Sequence, residues 1–438
     1  MTRLAIASAL RQRRASRAAL PPHPNLSLTL VSAQHALIHA QTALMPLVFV
    51  AIIPLFDIGV GEIGLLVAVG NLVGGALQLV YGGLTRILSR RTILGGGGLV
   101  FGVGMTMLSA TTSWIPFAAT SVIGRLGGSP QHTVGNALLA EQFPPRRVGF
   151  AISTHIAIGN LGTVAIPLVG GWLIATGGWS VAVLALGLPA IAVALAILVL
   201  VRESGADRAA AVGAGSTLAA FRSLRGEAAL LRLFLASSIS AAGRGLGIVS
   251  LFVPLYLALS IGLDGGTVAG MYTLFLAGSV PGPLVAGWIA DRVGHRRVLV
   301  ATYVLAVASI VVMLLAGSSV PLLWLSMALL GLFVFEESSL LQTVVADVAR
   351  PAIRDVAFSA YFTLMFVVGA AWAGAMGWLV GALGNDVGFP VAFGIMALSY
   401  VLAAVVVLRI DEPDRGAANQ SASDQATSAP MRIGTRSA

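Results

Sequence analysis

The chain has 438 residues, of which 57% are hydrophobic and only 10% are charged, and its mean hydropathy is +0.93. A soluble domain keeps roughly a quarter of its residues charged to cover its surface, so a water-soluble enzyme or binding module is excluded. The net charge of +9 comes from 26 arginines and no lysine, and the absence of cysteine rules out disulfides and thiolate metal sites.

In chain order, residues 1–27 carry Arg3, Arg11, Arg13, Arg14 and Arg17 and no acid. They read as a cytoplasmic arm rather than a transit peptide, because Pro21, Pro22 and Pro24 stop any helix before the first apolar run. Twelve apolar stretches follow, at 28–53, 62–84, 92–110, 115–139, 150–174, 180–201, 232–260, 267–289, 298–316, 322–345, 357–380 and 389–408. A spanning helix needs ~20 mostly apolar residues, since hydrocarbon tolerates only backbone that is hydrogen-bonded within itself. Each stretch meets that length closely enough to cross a bilayer. Residues 202–230 are polar and read as a linker between two six-span bundles, 28–201 and 231–409. Residues 410–438, rich in Ser, Ala and Asp, read as a disordered cytoplasmic tail.

The arginines outside the spans fall on alternate connections. Arg86, Arg90 and Arg91 follow the second span, and Arg146 and Arg147 the fourth. Arg202, Arg208, Arg222 and Arg225 follow the sixth, Arg292, Arg296 and Arg297 the eighth, and Arg350 and Arg354 the tenth. The other connections carry Asp57, Asp264 and Asp386 and no arginine. Basic loops are retained in the cytoplasm, so an even span number predicts a multi-pass protein of a cell membrane with both termini cytoplasmic. A basic excess can also signal nucleic acid; here the loop bias accounts for it, and no nucleic-acid partner is expected.

The chain repeats itself. Gly82-Gly83-Leu84-Thr85-Arg86 after the second span corresponds to Gly287-Trp288-Ile289-Ala290-Asp291 after the eighth. Pro46-Leu47 corresponds to Pro254-Leu255, and Arg147 to Ser153 corresponds to Arg354 to Ser359. Parallel repeats of this kind place a substrate cavity at their interface, and rocking of the halves gives alternating access.

Residues 287–297, with Gly287, Asp291, Arg292, Gly294, Arg296 and Arg297 in register, resemble the cytoplasmic loop motif of the major facilitator superfamily. The resemblance covers residues 28–409. It implies an all-α membrane protein of twelve transmembrane helices in two pseudo-symmetric six-helix bundles. It also implies that Asp291 and its arginines latch the outward-facing state, against the reading that they only hold the loop inside. The first-half copy has Arg86 where the aspartate belongs and Ser89 where the second glycine belongs, so any latch rests on Asp291. In the fifth span Gly162, Pro167, Gly170 and Gly171 fit the family's antiporter motif, with Ser153 and Ile166 in place of two glycines; the alternative reading is small-residue packing. Gly127-Gly128-Ser129-Pro130-Gln131-His132, Arg147, Gly149, Gly159-Asn160-Leu161-Gly162 and Pro167-Leu168 are similar to the fosmidomycin-resistance branch of drug exporters, as is His35. His39 stands where that branch has an acid.

Ionisable groups inside spans are costly and usually functional. Arg125 lies in the fourth span, Arg244 in the seventh, and Glu336 and Glu337 in the tenth. Arg125 is expected to bind substrate or couple transport, paired across the cavity with a glutamate; the alternative is a fixed ion pair. Adjacent glutamates point ~100° apart on a helix, so one of the two is expected to face the cavity. His35 and His39 share a helix face, His132 lies two turns from Arg125, and His155 opens the fifth span. These histidines read as polar helix contacts or as handlers of substrate or protons. An i,i+4 histidine pair can also chelate a metal, but no resident metal or other cofactor is expected. Gln34, Gln41, Asn71, Gln78, Gln131, Asn160, Tyr272 and Gln342 are further candidates for the path.

No G-x-x-x-x-G-K-[ST] loop is present, so ATP does not drive the protein, and no nucleophile constellation points to an enzyme. The sequence predicts a monomeric secondary transporter in the lipid bilayer with a small-molecule substrate and protons as the coupling ion. Efflux of a small drug-like or organic anionic compound is the first reading. Uptake of a small organic anion is the alternative, and a non-transporting membrane sensor the less favoured one.

Overall fold

A computed structural model of the protein describes residues 23–203, 224–349 and 353–410. Every long apolar run is helical, as hydrocarbon requires. Among the described residues, ten helical segments are long and apolar enough to cross a membrane. Two features bring the number of passages to twelve. The single helix Pro145–Leu200 contains two of them, and the fourth passage is divided into pieces too short to qualify alone.

Span 1 is Pro24–Phe56, span 2 Val60–Ile87 and span 3 Arg90–Ser109. Span 4 comprises Trp114–Gly128, a π-helical turn Gln131–Gly135, and Asn136–Gln142. Spans 5 and 6 are residues 145–177 and 179–200, and the chain reverses at Gly178, whose φ of 83° is open to glycine at no steric cost. Span 7 is Ala228–Ser240, a 3-10 turn Ala241–Gly243, a π turn Gly245–Val249 and Ser250–Leu259. Span 8 is Gly265–Ala277 with Pro281–Val293, span 9 His295–Ala316, and span 10 Val320–Phe333 with Glu336–Val348. Spans 11 and 12 are Arg354–Leu383 and Asn385–Val407.

The helix ends correct two expectations. Span 1 opens at Pro24 rather than at residue 28. Proline at the first helical position loses a hydrogen bond that would be unmade anyway, so Pro24 starts the helix instead of blocking it. The linker ends earlier than 230: a 3-10 turn at Leu224–Gly226 leads directly into Ala228–Ser240. The rest of the arm, residues 204–223 of the linker, and residues 411–438 lie outside the described residues.

Large apolar side chains on the outer surface, such as Leu315, Ile115, Leu284 and Trp378, are more than two-thirds exposed. That pattern suits a lipid solvent, in which exposed leucine costs nothing. Inside, small residues let helices approach. The two bundles meet through spans 2 and 11, 5 and 8, and 1 and 7. At Gly64 and Gly377 the backbones touch: a methyl group at Gly64 would stand 2.6 Å from the Gly377 Cα. Gly171 meets Ala269, and Gly61 faces Gly377 and Gly381. All of these contacts lie toward the side bearing Asp57, Asp264 and Asp386, so the halves are closed on that side.

The arginine-rich ends are tied within each bundle. The Arg90 guanidinium pairs with Glu141 at the end of span 4. The backbone N–H groups of Arg90 and Arg91 donate to the Glu203 carboxylate just beyond span 6. That carboxylate offsets two arginines at a helix N-terminus, where cations are disfavoured. In the second bundle the guanidinium of Arg296 donates to the Ile410 carbonyl at 2.8 Å, and that of Arg232 to the Arg409 carbonyl at 3.0 Å.

Candidate functional site

The membrane-embedded charges sit where helices break. Arg125 is in the last turn of Trp114–Gly128, just before the π turn of span 4. Arg244 lies between the 3-10 and π turns of span 7. Glu336 and Glu337 form the first turn of the second segment of span 10. These are the positions a helix dipole favours: a cation at a C-terminus, and carboxylates at an N-terminus. Broken spans also leave backbone groups to be satisfied by polar side chains.

The arginine that meets a glutamate is Arg244, not Arg125. Its guanidinium lies 3.4 Å from Glu337 Oε1 and also donates to the Ser237 carbonyl and hydroxyl, each at 3.2 Å. Ser240 donates to the same glutamate oxygen. The Glu337 side chain is wholly buried and that of Arg244 nearly so. Arg125 instead donates to Asn71 Oδ1 on span 2 and lies along Gly70. The expected pairing across the two halves is therefore replaced by an ion pair within the C-terminal bundle and a neutral contact within the N-terminal one. The expectation that one glutamate faces the cavity also fails: Glu337 turns to span 7, and Glu336 presses against Gly282 of span 8 and is 3% exposed. Both glutamates lie in the first turn of the helix that restarts after the break at 334–335.

Four histidines gather in the N-terminal bundle. The rings of His35 and His39 are 4.4 Å apart between centroids, those of His35 and His132 4.9 Å, and those of His39 and His132 5.7 Å. His155 stacks on His35 at 4.2 Å. Nδ1 of His35 donates to the His155 carbonyl at 3.1 Å. Nδ1 of His39 meets Thr163 Oγ1 at 3.1 Å, and Nδ1 of His155 meets Ser32 Oγ at 3.2 Å. His35 and His155 are buried, His39 is half-buried, and His132, carried on the π turn, is exposed. The sequence paired His35 with His39 by spacing and offered Asn71 only as a polar residue of the path; Thr163 and Ser32 carried no signal, because their partners lie on other helices.

Among the described residues, the contacts of the latch residues lie within the C-terminal half. The Asp291 side chain is 74% exposed and lies 3.8 Å from His295, one turn along. Arg292 stacks over Trp288 at 3.7 Å and donates to its carbonyl. Gly287 has open space beside it, Gly294 has a φ of 99° at the turn into span 9, and Arg297 is exposed. The side chain of Arg86, in the first-half copy, lies outside the described residues. In the antiporter-like motif, Gly162 packs on the Ala36 backbone, Gly170 on Leu44, and Gly171 on Ala269 of the other half, while Pro167 stands inside the span 5 helix.

Several polar residues expected along a path brace backbone instead. The side-chain amide of Gln34 donates to the Leu94 carbonyl at 3.0 Å, that of Gln78 to Ser129 at 2.8 Å, that of Gln131 to Val31 at 2.5 Å, and that of Gln342 to Ser338 at 3.0 Å. Gln41 and Tyr272 are buried, and Asn160 is half-buried. A wholly apolar groove of about 380 Å³ runs between spans 1 and 5, lined by Ala36, Ala40, Gly162 and Ile166 among others.

Two helical bundles, packed through small residues and holding ionisable groups at broken helices, define a polytopic membrane protein built like a carrier. The sequence profile of the Major Facilitator Superfamily matches residues 32–373 and 233–436, and the chain belongs to that family, one of transporters and not of enzymes. Over 170 residues it is 29% identical to solute carrier family 2, facilitated glucose transporter member 2, of Gallus gallus, a match covering 36% of this chain and 32% of that protein. The chain thus spans about a third of the length of this curated relative. Solved structures share the fold at low identity. A bacterial homolog of the human lysosomal transporter Spinster, in an inward-facing, unoccupied conformation, aligns with a TM-score of 0.73 at 15% identity, covering 89% of this chain and 97% of that one. A nucleoside transporter aligns at 0.73 and 14%, covering 88% and 100%. A D-xylose–proton symporter aligns at 0.69 and 16%, covering 89% and 98%.

Proposed function

We propose that the protein is a proton-coupled secondary transporter that exports a small drug-like or organic anionic compound across a cell membrane, with both termini cytoplasmic. The observation that carries this reading is the pairing of two bundles that meet on the Asp57 side with a buried Arg244–Glu337 pair at a helix break. In this reading the structure is the inward-facing state, with the Asp57 side shut and the substrate path open toward the arginine-rich loops. Exposure of Asp291 agrees with a latch that engages only when those loops close. Arg125, bound to a neutral partner, is free to meet an anionic substrate. Glu337 is the proton acceptor, since its release from Arg244 changes the charge balance of span 7. Similarity of residues 123–171 to the fosmidomycin-resistance branch, and Gly171 of the antiporter-like motif at the interface between halves, favour export.

The stretch similar to a facilitated glucose transporter, together with the likeness to a D-xylose–proton symporter, favours a second reading, uptake of a sugar. One experiment separates the two. Right-side-out and inverted vesicles are loaded with a panel of organic anions, drug-like compounds and sugars, with and without a pH gradient. Accumulation in inverted vesicles that are acidic inside is expected, with loss in Glu337→Gln. Gradient-independent sugar entry would replace the export reading.

A further inference from the structure

The proposed transport cycle leaves the four histidines without a role, and their arrangement has the chemistry of a metal centre. His35 lies eleven residues after the start of span 1, His132 ten before the end of span 4, and His155 ten after the start of span 5. Three helices thus bring imidazoles to one level, ~15 Å from the arginine-rich side at 1.5 Å per residue. One donor nitrogen from each of His35, His39 and His132 lies within 4.8 Å of the other two.

The hydrogen bonds set which nitrogens remain. A carbonyl can only accept, so the contact between His35 Nδ1 and the His155 carbonyl fixes the proton on Nδ1 and leaves a lone pair on Nε2. That Nε2 is buried, on a residue 1% exposed, and meets no hydrogen-bonding partner among the described residues. Thr163 meets Nδ1 of His39, and with Nδ1 as the donor to its hydroxyl the Nε2 of His39 keeps its lone pair. Metal-bound histidines are held in this way, with the far nitrogen donating to a carbonyl or hydroxyl that orients the ring. His132, on its π turn, is the exposed member. Its side of the cluster is where an ion would enter and where a further ligand would bind.

We infer that His35, His39 and His132 form a binding site for a borderline divalent transition-metal ion such as Zn²⁺ or Co²⁺. Three neutral imidazoles without carboxylate or thiolate suit such ions and not Ca²⁺ or Mg²⁺, which take oxygen ligands. The ion would sit ~2.0–2.1 Å from each nitrogen, reached by rotation of the three side chains. The remaining coordination position faces the exposed side of His132 and accepts water or an anionic group. This assignment departs from the sequence expectation of no metal, since spacing alone showed only the His35–His39 pair. It stands apart from the direction and coupling of transport.

The test is Co²⁺ titration of the full-length protein, purified in detergent with a tag that contains no histidine. The visible absorption of a low-coordinate Co²⁺ complex is the readout. Saturable one-to-one binding, with Zn²⁺ displacing Co²⁺, is expected. His39→Asn and His132→Asn should each weaken binding at least tenfold, and Thr163→Val, which removes only the orienting hydroxyl, by ~10- to 100-fold. His23→Asn should leave it unchanged. Thermal melting of each variant without metal shows whether it is folded, and Thr163→Val carries the test should the histidine variants fail to fold. Absence of saturable binding by the unmodified chain, or undiminished binding by folded His39→Asn, His132→Asn or Thr163→Val, overturns the site.

Discussion

The two membrane arginines have different surroundings, and this makes their substitutions distinguishable. Arg244 and Glu337 compensate each other in a buried setting. Removing one strands a charge, at a cost of ~3–5 kcal/mol, whereas replacing both by apolar residues of similar size is neutral or stabilising. Arg244→Met and Glu337→Leu alone are therefore expected to lower expression and melting temperature sharply, and the double variant to restore both. If Glu337 is the proton acceptor, the stable double variant is folded but no longer proton-driven. Proton-driven flux at the unmodified level in that variant would leave the pair a structural one. Arg125 contacts a neutral amide, and a hydrogen bond of that kind contributes ~1.5–3 kcal/mol when one partner is charged. Arg125→Ala is expected to melt within a few degrees of the parent yet to abolish transport. A collapse in melting temperature as large as that of Arg244→Met would assign Arg125 to the fold.

At the level of the helices, regular spans were readable and their interruptions were not. Hydropathy reports where a chain can be dehydrated, and length reports whether it can cross. Neither registers a π turn at 131–135 or a break at 334–335, because these are bought by contacts with other helices, such as the Gln78 amide on the Ser129 carbonyl. Helix starts are more local. Asp264 caps span 8, accepting from the Thr267 amide at 3.0 Å and from its hydroxyl at 2.6 Å. Those hydrogen bonds hold its carboxyl below the usual carboxylate range. A depressed carboxylate contributes stability above its unfolded pKa and loses it as pH falls through the folded one. Asp264→Ala is thus expected to lower the melting temperature at pH 7, with the difference from the parent closing once the pH falls well below ~3.9. A difference that persists unchanged in acid would mean that the carboxylate's charge plays no part in the cap.

For the molecule as a whole, the question is how the halves move. Gly61 and Gly381 face each other across the bundles, and a methyl group at Gly381 would lie 3.5 Å from the Gly61 Cα. The two backbones are close enough there for paired cysteines to report on the contact, and the chain has no cysteine of its own. Gly61→Cys with Gly381→Cys should cross-link on mild oxidation and stop transport, and a reductant should restore it. Full activity in the cross-linked protein would show that this contact does not open. The latch makes the complementary forecast: Asp291→Asn should leave expression intact and slow transport by disfavouring the state in which the arginine loops close. Equal transport by that variant and the parent would reduce the motif to a signal that keeps the loop inside.

The sequence by itself determined that the chain is a helical membrane protein made of two related halves, and the Gly287–Arg297 motif pointed to its superfamily. Those properties depend on apolar length and on short local patterns, which a one-dimensional string carries in full. It also located the rare ionisable groups, because charge inside an apolar run is visible without coordinates. Only the tertiary structure decided what those groups meet: Arg244 rather than Arg125 beside Glu337, both glutamates turned into helix packing, and His132 joined to His35 and His39. Partners on different spans are set by helix rotation and by where each helix breaks. A shift of one residue in a break turns the following side chains by ~100°, and nothing in the spacing of residues along one span encodes the angle of its neighbour.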